Sequence, residues 1–290
     1  MNLLAIDIGG SAVKYAVSDE NGTLRNPGAF PTPDQLELFL TQLEELLSHL
    51  SCEGIAISSP GTVNCTTGEV TGISAVPWLH HHPLKELFLE RFHLPASFEN
   101  DANCAALSEL WKGNASDVKD CYVVVLGTGI GGAMIKDGKL HHGAHNQAGE
   151  IGLLHCCVEG DTPQVWSHYS TIHTVRRAER EAGLVEGTLD GRALFDEASH
   201  NPIYQTHVNR FYEALASGVL DIQQLYDPER ILIGGGISSR RELIPEVYQR
   251  IEHMTASHPG VFLIPDLRIC QFGKEANLIG AIAHFLEERL

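Results

Sequence analysis

Short apolar runs alternate with amphipathic stretches along this chain, and the alternation predicts an α/β protein. Leu3–Ile8, Gly54–Ser58 and Cys121–Leu126 are short and rich in aliphatic residues, which is typical of buried strands. Apolar residues repeat with helical spacing over 34–50 and 101–111, so helices are expected there. Strands and helices that alternate in this way form a sheet covered by helices.

The same pattern continues to the end of the chain and divides it into two parts. The other predicted strands are 13–18, a short one ending near 30, 96–98, 131–136, 231–233 and 267–271, and the other predicted helices are 84–92, 168–181, 208–226, 240–254 and 275–288. A polar stretch at 112–117 interrupts the pattern. We therefore expect an N-terminal α/β domain over 1–114, a second α/β domain over 115–274, and a terminal helix within 275–290.

A strand, a glycine-rich turn and a second strand occur once in each half. The residues concerned are Asp7, Gly9, Gly10 and Ser11 in the first half, and Gly127, Thr128, Gly129 and Gly131 in the second. Bare backbone N–H groups beside a carboxylate suit a metal-bound polyphosphate. Gly-Gly after a strand is also common in ordinary hairpins, so this feature alone leaves both interpretations open.

Composition limits the classes of partner. The 290 residues are 43% hydrophobic and 20% charged, as in a folded globular protein, and the formal net charge is −17. Such an acidic chain is not expected to bind a nucleic-acid backbone or an anionic membrane surface. The seven cysteines are scattered, no secretory signal is visible and no apolar run is long enough to cross a bilayer, so we expect a cytoplasmic protein.

Seven sequence runs, in their order, resemble the ROK family of bacterial sugar kinases and repressors, within the actin-like ATPase superfamily. The runs are AIDIGGSAVK, GIAISSPGTVN, FENDANCAALSEL, VVVLGTGIGGAMIKDGKLHHG, AGEIG, ILIGGGIS and ANLIGAIAHFL. The resemblance covers nearly the whole chain. It implies two actin-like ATPase (ribonuclease H-like) domains around a central cleft, a last helix that returns to the N-terminal domain, and a homodimer. It also implies ATP- and magnesium-dependent phosphate transfer to a sugar hydroxyl, often O6 of a hexose.

The resemblance assigns the central chemical role to Asp101. In the family, the aspartate of a Glu-Asn-Asp run is the general base that takes the proton of the sugar hydroxyl, and that run is here Glu99-Asn100-Asp101. The alternative from the residues alone is that Asp101 is a helix N-cap, a position where aspartate is common. By the same resemblance, Asn100 would bind sugar hydroxyls.

Further residues match nucleotide-binding motifs. Asp7 would face the magnesium ion, directly or through water, and the two glycine turns would face the phosphates. Gly234, Gly235 and Gly236 resemble the adenosine-side motif, although a tight strand–helix turn would explain them as well. Lys14 is expected to be structural, because strand alternation can point it away from the turn.

The resemblance also predicts a set of sugar-binding residues. They are Glu150, Ser59, Pro60, Gly61, Thr62 and the loop Ser74–Trp78, in addition to Asn100 and Asp101. A carboxylate that accepts hydroxyl protons is a common sugar-binding device, and a surface helix glutamate is the alternative for Glu150. Trp78 and Trp166 are candidates either for stacking on a sugar face or for packing in the core.

The family's zinc loop is not recognisable in this chain. Its spaced cysteines are missing, and Cys156 and Cys157 are adjacent, so both thiolates cannot easily reach one tetrahedral ion. His155 and His168 lie nearby, but sixteen histidines make chance neighbours common. We therefore expect no zinc site.

Two sugar ligands of the family are also replaced. Leu153 stands where many relatives have a histidine, and Trp166 stands near the place of a second glutamate. This pattern resembles the zinc-less branch that includes β-glucoside kinases. We therefore expect a glucose or glucoside substrate, with Leu153 and Trp166 forming an apolar wall for the aglycone.

Other specificities and another class of function remain open alternatives. The enzyme could be a glucokinase or an N-acetylmannosamine kinase. A transcriptional regulator of the same family would need a winged-helix domain, and the acidic charge disfavours it. A non-catalytic sugar sensor is disfavoured because Asp7, Asp101 and both glycine turns are present.

Overall fold

The computed structural model describes residues 1–159 and 162–289, with side chains outside 156–163. Chain contacts divide the molecule into two compact units, which are described one at a time. The first unit comprises Met1–Ser116, His142–Ala148 and the chain from Lys274 onwards, and the second comprises Asp117–His141 and Gly149–Gly273.

The first unit is built on a mixed sheet. Numbered in chain order, its strands lie in the spatial order β3 (Leu24–Pro31), β2 (Ala12–Asp19), β1 (Asn2–Ile8), β4 (Gly54–Ser59) and β7 (Ala96–Asn100). Strand β1 is antiparallel to β2 and parallel to β4, which is parallel to β7. A small hairpin of β5 (Thr62–Asn64) and β6 (Glu69–Thr71) follows β4.

Helices cover both faces of this sheet. They are α1 (Leu36–Ser48), α2 (Leu84–Phe92), α3 (Asp101–Lys112) and, from the end of the chain, α8 (Ala276–Glu287). Because side chains alternate along a strand, Leu4 and Ile6 of β1 join the core formed with α1 and α2, whereas Leu3 and Ala5 join the core formed with α3 and α8. Helix α8 approaches α3 so closely that a Cβ at Gly280 would lie 1.7 Å from the Cys104 carbonyl oxygen.

The second unit repeats the same sheet. Its strands lie in the order β10 (Lys139–Leu140), β9 (Ile130–Lys136), β8 (Cys121–Leu126), β13 (Arg230–Gly235) and β14 (Leu267–Ile269). As in the first sheet, the first three strands are antiparallel and the last two run parallel to the central one. The α/β class predicted from the sequence is therefore confirmed, and each half has the same strand order.

The helices of the second unit mostly begin at capping residues. They are α4 (Thr171–Glu181), α5 (Gly191–Asp196), α6 (Pro202–Tyr226) and α7 (Leu243–Thr255). Helix α6 begins earlier than predicted, because the Asn201 side chain caps its first turn and proline is tolerated at the first helical position. Helix α5 and the hairpin of β11 (His155–Glu159) with β12 (Thr162–Val165) were not predicted. Among the described residues, no helix is long and apolar enough to cross a membrane.

The topology brings the chemically distinctive residues of each unit to one edge of its sheet. In the first unit, the parallel strands β1, β4 and β7 end beside Gly9, Pro60 and Asp101. In the second unit, β8 and β13 end beside Gly127 and Gly236. Parallel strands present their carboxyl ends at the same edge, which is where ligands bind in open α/β sheets.

Candidate active site

Asp7 is a buried carboxylate held by three side chains of the first unit. Its Oδ1 accepts hydrogen bonds from Ser58 Oγ at 3.1 Å and from Asn277 Nδ2 at 2.9 Å. Its Oδ2 lies 3.2 Å from Lys14 Nζ. The side chain is only 6% exposed, so its orientation is fixed by these partners.

Lys14 was expected to be structural and to point away from the turn, and its orientation differs from that prediction. Lys14 is the cross-strand partner of Asp7 in the antiparallel register, and directly opposed residues project to the same face of a sheet. Lys14 is therefore a cation beside Asp7 and beside the turn that follows β1. The sequence contained the signal, since a two-residue turn places residues 7 and 14 opposite one another.

Contacts within the first unit fix the conformation of the first glycine turn. Gly9 N–H donates to the Ala12 carbonyl at 3.1 Å, and Thr32 Oγ1 donates to the Gly9 carbonyl at 2.5 Å. A Cβ at Gly10 would lie 2.8 Å from Ala75 Cβ in the Ser74–Trp78 loop. Ser11 is exposed, so the outer side of this turn is open to solvent.

Asn100, rather than Asp101, caps helix α3. Asn100 Oδ1 accepts the Asn103 N–H at 3.1 Å, and its amide donates to the Gly61 carbonyl at 2.9 Å. Asp101 is the first helical residue, and its Oδ1 accepts the Ala102 N–H at 2.8 Å and the Asn100 amide at 3.1 Å. The capping alternative for Asp101 is therefore wrong, and the carboxylate sits at the positive end of the helix dipole.

The predicted sugar loop Ser59–Gly61 supports Asn100. Gly61 has φ +91°, where other residues are strained, and its carbonyl receives the Asn100 amide. Ser59 is fully buried and donates to the Pro60 carbonyl at 3.2 Å. Trp78 donates to the Pro33 carbonyl at 2.6 Å and its ring packs 5.2 Å from that of Phe39, so its contacts are those of a core residue.

Two serines just before helix α4 hold the second glycine turn by hydrogen bonds. Ser167 Oγ accepts the Ile130 N–H at 3.1 Å, and Ser170 Oγ donates to the Thr128 carbonyl at 2.7 Å. A Cβ at Gly127 would meet no atom within 4 Å, and at Gly129 it would meet only Ser167 Oγ at 3.5 Å. Internal packing therefore does not demand glycine at Gly127 or Gly129. Gly131 lies within β9, opposite Val125 of β8.

The three glycines after β13 have different environments. Gly235 has φ +93°, and a Cβ there would lie 2.0 Å from the Leu126 carbonyl oxygen, so its role is structural. A Cβ at Gly234 would lie 3.0 Å from Cys270 Sγ. At Gly236, by contrast, a Cβ would meet nothing within 4 Å.

Gly236 lines a cavity of about 830 Å³ in the second unit, together with Gly127, Thr128, Ile172, Arg192 and Arg240. This volume is within the range of small-molecule sites. The Phe195 ring also lines the cavity, and the Arg240 guanidinium lies 5.3 Å from its centroid. Three arginines line the cavity, Arg192, Arg240 and Arg241, and so do three acidic residues, Asp190, Asp196 and Glu242. The apolar walls and the open glycine backbone suit a nucleotide.

Glu150 is positioned by two glycines that pack against β9. Gly149 has φ +94°, and a Cβ at Gly152 would lie 1.9 Å from the Ile130 carbonyl oxygen. Glu150 is partly buried and precedes a short 3₁₀ turn, so the surface-helix alternative is wrong. Its carboxylate makes no hydrogen bond within the part of the chain that is described, and burial raises the pKa of this carboxyl. A partly buried carboxylate without a hydrogen-bond partner in the described residues is suited to receiving hydroxyl groups.

Trp166 does not form the apolar wall that the sequence suggested. It is 1% exposed and packs against Gly218 of α6, where a Cβ would lie 2.2 Å from the indole. The expectation of a sugar-facing Trp166 is therefore wrong, because the tight glycine contact draws the ring into the core. Leu153 is 49% exposed and remains available to a ligand.

The zinc expectation concerned residues that the structure treats only in part. The side chains of Cys156 and Cys157 lie outside the described residues. His155 is exposed, and His168 contacts Gln164 through Nδ1. Within the described residues, neither histidine belongs to a group of three metal-ligating side chains.

Sequence reasoning missed several residues of these sites. Asn277 reaches Asp7 from 270 positions along the chain, and Ser58, Ser167 and Ser170 supply the braces described above. The signal for Asn277 was a single polar residue at the start of the apolar run ANLIGAIAHFL. The sequence did not indicate that Asp7 is the partner of Asn277, because a contact between such distant segments depends on how the helices pack.

Comparison with known proteins identifies the family of this chain. A model of the ROK family matches residues 3–288. A β-glucoside kinase from Klebsiella pneumoniae is 33% identical over 293 residues, which cover 98% of this chain and 96% of the relative. A crystal structure of a ROK family protein from Streptococcus pneumoniae TIGR4 in complex with sucrose is 36% identical, with a TM-score of 0.92 and coverage of 100% and 99% of the two chains.

A third comparison bears on the fold alone. The crystal structure of a ROK family glucokinase from Streptomyces griseus in complex with glucose and AMPPNP is 24% identical and covers 100% of both chains, with a TM-score of 0.83. The predicted actin-like ATPase fold is thereby confirmed.

Proposed function

This chain belongs to the ROK family and is an ATP-dependent carbohydrate kinase, and we propose that it phosphorylates O6 of a glucose unit within a glucoside, with Asp101 as general base. The observation that carries the proposal is the position of Asp101. Because Asn100 caps α3, the Asp101 carboxylate is not needed to close the helix. It is held at the carboxyl edge of the sheet by Ala102 and Asn100, beside the loop predicted to bind sugar.

At the phosphorus atom, the reaction forms one bond and breaks one bond. The sugar oxygen attacks the γ-phosphorus, the bond from that phosphorus to the β,γ-bridging oxygen breaks, and ADP leaves. The hydroxyl proton passes to the Asp101 carboxylate and then to solvent. Asn100 orients this carboxylate, since its amide bridges Asp101 and the Gly61 carbonyl.

The second unit supplies the nucleotide site in this proposal. The cavity beside Gly236 would hold the adenosine, and the open backbone at Gly127 and Gly129 would face the phosphates. Glu150 would accept sugar hydroxyls, because its partly buried carboxylate has no hydrogen-bond partner in the described residues.

The residues around Asp7 fit a magnesium ion held through water. Asp7 Oδ1 is occupied by Ser58 and Asn277, and Oδ2 faces Lys14, so this carboxylate is oriented and partly neutralised without a metal. Magnesium prefers to keep several waters and to take one or two carboxylates. When bound, the ion would spread the charge of the phosphate oxygens.

The glucoside preference rests on the relatives and on Leu153. The Klebsiella pneumoniae relative is a β-glucoside kinase, and the Streptococcus pneumoniae structure contains a disaccharide. The exposed Leu153 stands next to the Ala148–Gly152 motif and offers an apolar contact for an aglycone. The homodimer implied by the resemblance stays a prediction, to be checked by sedimentation.

The test is ADP release with magnesium-ATP against a sugar panel. We expect the highest kcat/KM with β-linked substrates such as cellobiose, gentiobiose or an aryl β-glucoside, and lower values with glucose, mannose or N-acetylmannosamine. Phosphorus NMR of the product should place the phosphate on O6. Preference for a free hexose would contradict the substrate class, and tight sugar binding without turnover would contradict the activity of this chain.

Asp101→Asn tests the base. The amide keeps the size of the side chain but cannot take a proton at neutral pH, so kcat should fall by about 10²- to 10⁴-fold with little change in sugar affinity. Asp137→Asn, in the exposed turn between β9 and β10, is the matched control and should retain wild-type kcat. An unchanged kcat in the folded Asp101→Asn protein would remove Asp101 from this role.

A further inference from the structure

Three side chains of different chemical types converge in the first unit, and the proposed reaction uses none of them. Cys65 Sγ lies 3.4 Å from Glu99 Oε2 and 3.7 Å from His142 Nε2. His142 Nε2 lies 2.6 Å from the same oxygen of Glu99. Within the described residues, these atoms form a group compact enough to share one metal ion.

We propose that Cys65, Glu99 and His142 bind one divalent transition-metal ion of the zinc class. Thiolate, imidazole and carboxylate are the donors that zinc takes in proteins. Standard zinc bond lengths in a tetrahedron separate sulfur from nitrogen or oxygen donors by about 3.5 Å, and nitrogen from oxygen by about 3.3 Å. Both measured sulfur distances are close to that value.

The third distance is shorter because His142 and Glu99 are hydrogen-bonded. Binding an ion requires these two atoms to separate by about 0.7 Å, which exchanges one hydrogen bond for two metal bonds. The His142 side chain is 30% exposed, so it can move and can admit the ion. The exposed side also leaves a fourth position for water.

The cluster contains a buried carboxylate with two histidines around it. Glu99 is fully buried, and although burial alone would raise the pKa of its carboxyl, the hydrogen bond from His142 and the charge of His284 hold that pKa below its usual value. His284 Nδ1 lies 3.8 Å from the same Oε2.

Cys65 is the residue that distinguishes a metal site from a simple ion pair. A His142–Glu99 pair would by itself compensate the buried carboxylate, but it gives no reason for a thiol against the same oxygen. Zinc binds the thiolate form of cysteine, so an ion bound here displaces the proton of the Cys65 thiol. Binding therefore releases about one proton per ion from Cys65.

The site would be linked to the loop that carries Asp101. The other carboxylate oxygen, Glu99 Oε1, accepts the Asn100 N–H at 2.7 Å and the Asn103 amide at 2.9 Å. An ion bound to Oε2 would thus be connected through the Glu99 side chain to Asn100, which caps α3. The expectation of no zinc site concerned the loop after Gly152. The site proposed here lies elsewhere, because Cys65 and His142 are 34 and 43 residues from Glu99 in the sequence.

The test is titration of the full chain with cobalt(II) chloride, followed by zinc. We expect one cobalt ion per chain, a sulfur-to-cobalt charge-transfer band in the near ultraviolet, and loss of that band when zinc is added. Cys65→Ser should abolish the band, and His142→Gln should weaken binding by more than about 100-fold. Cys52→Ser and His145→Gln are the matched controls, and both should bind as the wild type does.

A second readout does not depend on cobalt. Zinc should protect Cys65 from alkylation by iodoacetamide, measured by mass spectrometry, while Cys52 in the same sample should react at an unchanged rate. Absence of the charge-transfer band in the wild type, or a band that persists in folded Cys65→Ser, would overturn the proposal. Equal alkylation of Cys65 with and without zinc would also overturn it.

Discussion

Glycines that look alike in the sequence serve two different purposes at the residue scale. Gly235 is required by its own fold, because its φ is +93° and the Leu126 carbonyl leaves no room for a Cβ. Gly127 has a negative φ and open space where a Cβ would stand. The first is therefore needed for folding, whereas the second is free to serve a ligand.

Gly235→Ala and Gly127→Ala should separate these two purposes. We expect Gly235→Ala to lower the free energy of unfolding by more than about 2 kcal/mol, because strain and a clash add. Gly127→Ala should change it by less than about 0.5 kcal/mol. The same variant should lower kcat/KM for ATP by about 10- to 100-fold, because the phosphates are displaced. Denaturant unfolding measures the stability of the two variants, and steady-state kinetics measures kcat/KM for ATP. An unchanged kcat/KM in Gly127→Ala would contradict the phosphate role.

Leu153 and Trp166 also differ, although the sequence paired them. Trp166→Ala should cost about 3–5 kcal/mol of stability because it empties a packed core site. The milder Trp166→Phe should leave the ratio of glucoside to free-hexose activity unchanged. Leu153→His should alter that ratio with little effect on stability, since Leu153 is half exposed. An unchanged ratio in Leu153→His would remove Leu153 from the substrate site.

At the scale of elements, caps and turns made most boundaries predictable. Helix α2 and strand β8 have the predicted bounds, and the Asp137–Gly138 turn has positive φ at both residues, as its sequence indicates. Helix α6 was less predictable because its first turn lacks the strong apolar repeat, so the cap at Asn201 was overlooked. Where a local signal was weak, tertiary packing set the boundary.

Strand β13 is attached to its neighbours by Arg230, and this attachment should depend on pH. The buried Arg230 guanidinium contacts Asp117 at 2.5 Å and Asp266 at 3.0 Å. The hydrogen bond from Arg230 holds the pKa of Asp117 below its usual value. Burial by itself would raise the pKa of Asp266, but hydrogen bonds from Arg268 and Arg230 hold it low. A carboxyl group whose pKa is lowered in the folded protein contributes stability above the ordinary aspartate pKa of about 3.9. This stability is lost as the pH falls through the pKa of the folded state.

Arg230→Met should therefore be less stable than the wild type at pH 7, and should lose less further stability between pH 5 and pH 3. Arg25→Met is the control, because the partly buried Asp19 next to it owes its lowered pKa first to the Thr23 N–H rather than to Arg25. Thermal unfolding across that pH range measures the effect. Parallel pH profiles for wild type and Arg230→Met would contradict the assignment.

At the scale of the whole molecule, the repeated sheet explains where the chemistry lies. Both units have the same strand order, so each presents its parallel carboxyl ends, and the turns beside them, to one edge. The first unit carries Asp7 and Asp101 there, and the second carries the cavity and its glycines.

Nucleotide should stabilise the chain through the second unit. AMPPNP with magnesium, at 100 times its Kd, should add about 2.7 kcal/mol to the free energy of unfolding of the transition that includes this unit. Gly127→Ala should need a higher nucleotide concentration for the same shift, whereas Asp101→Asn should not. Thermal unfolding with increasing AMPPNP measures this, and equal shifts in wild type and Gly127→Ala would contradict the cavity assignment.

The sequence by itself determined most strands and helices, the glycine turns and the run that contains Asp101, because these depend on local periodicity and on neighbouring residues. Only the tertiary structure decided that Lys14 and Asn277 hold Asp7, that Trp166 is buried against Gly218, and that His142 meets Glu99 and Cys65. Those outcomes depend on how helices and loops pack across long separations. The alternation of side chains along a strand predicts which face of the sheet a residue occupies. Which side chain it contacts there is decided only when distant segments of the chain pack together.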